Sequence, residues 1–291
     1  MNYIKENLVL ILLKKMQREY YSKNYHAEIK TLNWIIFLNP IASNYILRGN
    51  ALGLINDHEK AILDYSKAIN IDSNNSSYYD ERANSYNRLE KYDFAIKDYT
   101  KAIELNPEDY DLILFRAQSY DNKGEFEIAI REYNKVIEVN PTEIEAYIGK
   151  GICFSDLKKY EEAIETYEQG LKINPNTSGL YVNLANALST LKKYEESFSY
   201  YEKALRVDSE NYYAYYNRGV TLYVVDKFEA SLIDLNKTLE LNPIYSSGYL
   251  WRGHVYSELK LKENALADYL RAIDLGEIDV QKHIDELNKI D

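Results

Sequence analysis

Residues 98–109 read DYTKAIELNPED, and variants of this phrase begin at Asp64, Asp98, Glu132, Thr166, Tyr200, Asp234 and Asp268, each step being 34 residues. A fixed period in this range belongs to stacked supersecondary units, and it restricts the fold more than any other feature of the chain. Placing the repeat starts at Ala42, Ser76, Tyr110, Ile144, Ser178, Tyr212 and Ser246 brings the copies into register. Positions within a repeat are numbered below as slots.

The slots sort by size. Slot 8 holds only Gly or Ala (Gly49, Ala83 and Ala117 open the series), and slot 20 only Ala or Ser. Small residues at both positions let two helix backbones approach closely. Slots 4, 11 and 24 are mostly bulky, as in Tyr45, Leu52 and Tyr65 or Tyr147, Phe154 and Tyr167. Slots 4, 8 and 11 recur at helical spacing, as do slots 20, 24, 27 and 28. Each repeat therefore reads as two amphipathic helices, over roughly slots 2–14 and 18–31. Turn signals such as NKGE at 122–125 separate them, and the Asn-Pro pairs ending at Pro107, Pro141, Pro175 and Pro243 stop the second helix.

The small slots, the aromatic slots and the closing proline resemble the tetratricopeptide repeat family, and the resemblance covers nearly the whole chain. It implies an all-α, right-handed superhelical solenoid over residues 1–279. A degenerate first repeat occupies about 8–41, where LNWIIFLNP carries the ending one residue out of step. Regular repeats follow at 42–75, 76–109, 110–143, 144–177, 178–211, 212–245 and 246–279. The tail 280–291 reads as a capping helix with Val280, Ile284 and Leu287 on one face, because an open solenoid end needs a polar cover. The family's Trp at slot 4 is mostly Tyr here.

The net charge of −11 argues against nucleic acid as a partner. The apolar run Leu8–Leu13 is short, follows Glu6 and precedes two lysines, so a buried helix is expected rather than a leader or a membrane span. With a single cysteine, Cys153, a cytoplasmic location is expected.

No set of side chains suggests catalysis. The four histidines are scattered, and His58 falls at an aromatic slot, where a packed ring is expected. Cys153 takes a slot that is otherwise small. No Cys/His spacing suits zinc and no Gly-rich loop could cradle phosphate, so neither metal nor cofactor is expected. Thirty tyrosines suggest a stacking surface, yet 18 fall at the packing slots 4, 11, 17 and 24.

Slots 7 and 23 vary together. Arginine at slot 7 occurs only where slot 23 is acidic, which gives Arg48 with Asp64, Arg82 with Asp98, Arg116 with Glu132, Arg218 with Asp234 and Arg252 with Asp268. Structural ion pairs within each repeat are expected. Pairing between repeats, such as Asp64 with Arg82, fits nearly as well.

By periodicity, slots 2, 5, 6, 9, 12 and 13 point away from the packed face. The resemblance implies that the first helices line a concave groove that binds extended peptides or short helices. The candidate residues change character along the chain. Asp80, Glu81, Asp111, Asp121, Glu145 and Asp156 form an acidic stretch. Asn84, Gln118, Asn183, Asn186 and Asn217 supply amides, which both donate and accept. Tyr213, Tyr216, Tyr223, Trp251 and His254 supply an aromatic stretch, with Tyr216 and Trp251 as the expected anchors. Cap residues packing over these rings are the rival reading. Slots 2, 5, 6 and 9 of the regular repeats hold no Lys or Arg, so the acidic chaperone C-termini bound by some members of the family are not expected as ligands. The expected function is that of a non-enzymatic scaffold holding a neutral or basic protein segment with an apolar anchor. The alternative is a self-associating structural protein that pairs through repeat ends or its aromatic face, which leaves homo-oligomerisation open.

Overall fold

The computed structural model describes residues 2–287. Every element in that range is an α-helix. Contacts divide the chain into two compact units, 1–149 and 150–291, and the division falls inside one helix. The first unit contains α1 (Asn2–Tyr21), α2 (Tyr25–Leu38), α3 (Ala42–Leu54), α4 (His58–Ile71), α5 (Ser76–Arg88), α6 (Tyr92–Leu105), α7 (Tyr110–Asn122), α8 (Phe126–Val139) and the start of α9 (Ile144–Asp156). The second contains the rest of α9, α10 (Tyr160–Ile173), α11 (Ser178–Thr190), α12 (Tyr194–Val207), α13 (Tyr212–Val224), α14 (Phe228–Leu241), α15 (Ser246–Glu258), α16 (Lys262–Asp274) and α17 (Gln281–Leu287).

In each regular repeat the helices start one slot earlier than the sequence suggests, at slots 1 and 17. The turn between them explains this. Slot 15 is left-handed in every repeat, with φ near +60° at Asn56, Glu90, Lys158, Lys192, Asp226 and Lys260, and +83° at Gly124. The next N–H then reaches back to the carbonyl at slot 11, as from Lys91 to Tyr86 (2.9 Å) and Lys159 to Phe154 (2.8 Å). This is a Schellman-type end, which satisfies carbonyls that a helix terminus leaves open. Only one of these turns carries the glycine that would announce it.

Packing follows the size pattern. The slot-24 rings of Tyr99, Tyr133, Tyr167 and Tyr201 are at most 1 % exposed. Tyr99 and Tyr201 cluster with the slot-8 alanines of their own repeats, Ala83 and Ala185, and Tyr167 lies against Gly151. A Cβ placed on Gly253 would lie 2.6 Å from Tyr269 Cε1, so this glycine permits a backbone approach that a larger side chain would obstruct. Ala83, Ala95, Tyr99 and Ala102 form one such buried set in the first unit, with Leu112 of the next repeat closing it. Val182, Ala185, Tyr201, Ala204 and Ala214 form the equivalent in the second.

The ends of the chain differ. In α17, Ile284 and Leu287 bury with Val280 against Ala265, Tyr269 and Ala272. Residues 288–291 of the expected cap lie outside the described residues. At the other end, α1 is 20 residues long and its apolar run is only partly covered. Leu12 and Leu13 pack inward against Leu32 and Ile35, whereas Leu10 and Ile11 stay exposed. The expectation of a buried helix is therefore corrected: α1 packs chiefly on α2, and one neighbour cannot cover a helix that is apolar on several sides. Among the described residues no helix is long and apolar enough to cross a membrane.

Candidate functional site

The slot-7 arginines mark the edge of the first-helix face, and the structure places each against the acid of its own repeat. Arg48 Nε and Nη2 donate to Asp64 Oδ2 and Oδ1, both at 2.6 Å. Arg82 meets Asp98 at 2.6 and 2.8 Å, Arg218 meets Asp234 at 2.7 and 2.8 Å, and Arg252 meets Asp268 at 2.6 and 2.7 Å. Arg116 differs: Nε and Nη2 share Glu132 Oε2, and Lys135 takes the other oxygen at 2.6 Å. The acids are buried.

The remaining guanidinium nitrogen reaches the preceding repeat. Nη1 of Arg48 donates to Asn33 Oδ1, that of Arg82 to Ser66 Oγ, that of Arg116 to Thr100 Oγ1 and that of Arg252 to Asn236 Oδ1. Each of these four arginines thus fixes the acid of its own repeat while tying that repeat to the one before. Sequence reasoning missed this second contact. Its partners differ in type (Asn, Ser, Thr), and only their common slot, 25, could have revealed them.

On the first-helix face of the 1–149 unit, Asp80 and Glu81 are half-buried, Asp111 and Glu145 are exposed, and Asp121 is half-buried. These acids affect one another. Burial, together with Glu81 and Asp109, pushes the Asp80 carboxyl up to about 6. Burial also raises Glu81, and the adjacent Glu145 raises Glu143. Asp156 belongs to the other unit.

The amides are less free than their periodicity implies. The buried slot-24 tyrosine of the same repeat donates to the slot-9 amide: Tyr99 to Asn84 Oδ1 at 2.9 Å, and Tyr201 to Asn186 Oδ1 at 2.5 Å. Asn84 Nδ2 in turn donates to Asp80, and Asn217 Nδ2 donates to the Tyr213 carbonyl of its own helix. Slot 9 is therefore half structural, which corrects the view that it only faces outward. Gln118 is half-buried. Asn183 and Asn186 line a cleft of about 160 Å³ with Ile152, Tyr160 and Tyr167.

In the 150–291 unit the aromatic residues form two groups. Tyr216 meets Tyr245 edge-on at 5.0 Å, beside Tyr212 and the 49 % exposed Tyr213. Trp251 packs edge-on against Tyr223 and His254, at 5.4 Å from each. The two proposed anchors thus stand in different stacks. The polar partners of the Tyr216 hydroxyl include Tyr245 and Trp251. His254 Nδ1 lies 2.9 Å from the Tyr269 hydroxyl, and burial with nearby His283 and Lys282 lowers its pKa to about 4. The cap touches this group through His283, whose ring is 4.5 Å from that of His254. A cavity of about 380 Å³ opens beside Tyr223, Trp251 and His254.

Cys153 is fully buried, and no His/Cys/Asp/Glu group among the described residues could hold a metal ion.

Successive helix pairs of one pattern, several tied to the pair before by an arginine, define an all-α repeat protein. Two models of the tetratricopeptide repeat match the chain, one over residues 81–109 and 144–177, the other over 42–75, 110–143, 178–211 and 246–276. They cover more than half of it, and the chain belongs to the tetratricopeptide repeat family, whose repeats generally mediate protein–protein interactions. Neither match includes 212–245, the regular repeat with Leu235 in place of the slot-24 tyrosine.

Among solved structures, a tetratricopeptide repeat protein from Parabacteroides merdae aligns with a TM-score of 0.69 at 21 % identity, covering 85 % of this chain and 97 % of that one. The Cut9–Hcn1 hetero-tetramer of the APC/C aligns at 0.65 and 15 % identity, covering 95 % of this chain and 55 % of that one. MamA aligns at 0.53 and 22 %, covering 58 % and 92 %. These likenesses concern the fold. No curated protein matches the chain by sequence.

Proposed function

We propose that the chain is a non-enzymatic scaffold that holds a neutral or basic protein segment against its first helices. The observation that carries this reading is the cavity beside Tyr223, Trp251 and His254 in the second unit, where half-exposed rings surround open space. Tyr and Trp concentrate binding energy at interfaces, because they bury large area at little rotamer cost. The ligand's sign follows from the first unit. Burial chiefly, and the neighbouring Glu81 and Asp109 charges after it, raise the Asp80 carboxyl, and a cationic partner would offset those like charges. An acidic tail would add to them. Trp251 with Tyr223 is the preferred anchor, and Tyr216 is a flanking contact.

Affinity capture with the wild type and with Tyr223→Ala/Trp251→Ala tests the reading. Loss of captured partners with unchanged helicity supports it; equal capture sinks it.

A second reading, self-association, has its own observation. Trp34 and Phe37 on α2 are 63 % and 77 % exposed and meet edge-on at 6.2 Å. With the one-residue offset they fall at slots 26 and 29, which hold charged or amide residues in all seven regular repeats. Light scattering across a concentration series distinguishes the readings: a dimer abolished by Trp34→Ala/Phe37→Ala favours self-association, and a monomer throughout excludes it.

A further inference from the structure

The one-residue offset that aligns α2 with the other second helices places Glu28 at slot 20. All seven regular repeats have Ala or Ser there, because this is where two helix backbones come closest. A glutamate in that place cannot be explained by packing. Its side chain is 3 % exposed, and Oε2 has no hydrogen-bond partner. Across the helix pair stands Glu19, itself with an orphan Oε2, while its Oε1 is held by Lys15 at 3.7 Å. A buried carboxylate oxygen without a donor costs of the order of 1–3 kcal/mol, more when charged. Burial and the Glu19 charge accordingly raise the Glu28 pKa.

Glu28 borders open space, with its Oε2 held within the wall rather than at its surface. It lines a cavity of about 880 Å³ within the first unit, walled by Leu13 and Met16 of α1 and by Leu47 and Leu54 of α3. His58 lines the same cavity, and its Nδ1 is a second buried atom without a partner. Two orphan polar atoms and an apolar wall share one cavity, which is the composition of a ligand pocket. Lys14 and Arg88 also line it, opposed by Glu81.

We propose that this cavity receives a lysine side chain from an apolar protein segment, its methylene stem along Leu13, Met16 and Leu47 and its ammonium donating to Glu28 Oε2 and His58 Nδ1. An ionised carboxylate only accepts, so the missing partner must donate, and a cation answers the charge as well. The two acceptors are single atoms on different helices. That arrangement suits an ammonium, a compact charge with three separately aimed donors, better than the planar fork of a guanidinium. The inference rests on the reading that first helices carry the ligand, and it adds a subsite that the slot pattern does not contain.

The test uses the full chain and fluorescence anisotropy with labelled 12-residue peptides of leucine and alanine that carry one central lysine, glutamine or glutamate. The lysine peptide is expected to bind at least tenfold more tightly than the other two. Glu28→Gln and Glu28→Ala should abolish that preference. Glu28→Ala restores the residue of the regular repeats, so its melting temperature should equal or exceed that of the wild type, which separates lost binding from lost folding. Equal affinity for the three peptides, or a lysine preference that survives Glu28→Ala, overturns the proposal. If all three peptides bind equally and Tyr223→Ala/Trp251→Ala releases them, the pocket alone is refuted. If none binds, the scaffold reading falls with it.

Discussion

Removing Arg82 should destabilise the protein more than removing Arg82 and Asp98 together. The Arg82 and Asp98 side chains are 18 % and 7 % exposed. In Arg82→Leu the Asp98 carboxylate keeps its place but loses both donors. Stranding one member of a buried pair costs about 3–5 kcal/mol. The remaining exposure of this pair puts the loss near the lower end, and losing the bond to Ser66 adds about 0.5–1.5 kcal/mol. In Arg82→Leu/Asp98→Tyr no charge is stranded. The chain itself supports this pairing, since the 178–211 repeat has Leu184, fully buried, at slot 7 and Tyr200 at slot 23. Replacing a buried ion pair by apolar residues of similar volume is often close to neutral, so the double variant should recover about 2 kcal/mol of the single variant's loss. Repeat proteins depart from two-state unfolding, so amide hydrogen exchange in α5 and α6 is the appropriate assay. Equal loss of protection in the single and double variants would refute the reasoning.

Two further perturbations follow from local chemistry. Asp80 titrates at about 6 when folded, against 3.8 ordinarily, so between those values the folded state holds the extra proton and stability falls as pH rises. Asp80→Asn keeps the contact with Asn84, and it should flatten that decline and add about 1 kcal/mol at pH 7 after allowing for solvent screening; a melting temperature that falls at pH 7 would contradict this. Lys158 sits at φ 59°, a region that costs a side chain about 1–2 kcal/mol. After allowing for glycine's greater unfolded freedom, Lys158→Gly should raise stability by roughly 0.5 kcal/mol, and a lower melting temperature would show that the turn is unstrained.

The fold was legible because its causes repeat. Slot 8 must be small wherever a slot-24 ring rests on it, and six repeats with that ring make the requirement visible without coordinates. Features with a single cause were not. The left-handed slot 15 is written as Lys, Glu, Asn, Asp or Gly, so only the glycine marks a turn. The outward direction of slot 9 followed from the helical period, but the hydroxyl of Tyr99 reaches across and uses the Asn84 carbonyl. Spacing makes Tyr216 and Trp251 equivalent, and it does not reveal that Tyr245, at the N-cap of α15, packs edge-on against Tyr216 while Trp251 packs on Tyr223 and His254. Glu28 was hidden by the one-residue offset of the first repeat.

The central claim is that the ligand lies on the first helices. The most direct measurement places the photocrosslinker benzoylphenylalanine at Tyr213, on the first helix of its repeat, or at Lys203, exposed on a second helix. The account predicts crosslinks to another protein from position 213 and none from position 203. Equal crosslinking from both, or crosslinks from 203 alone, would contradict it.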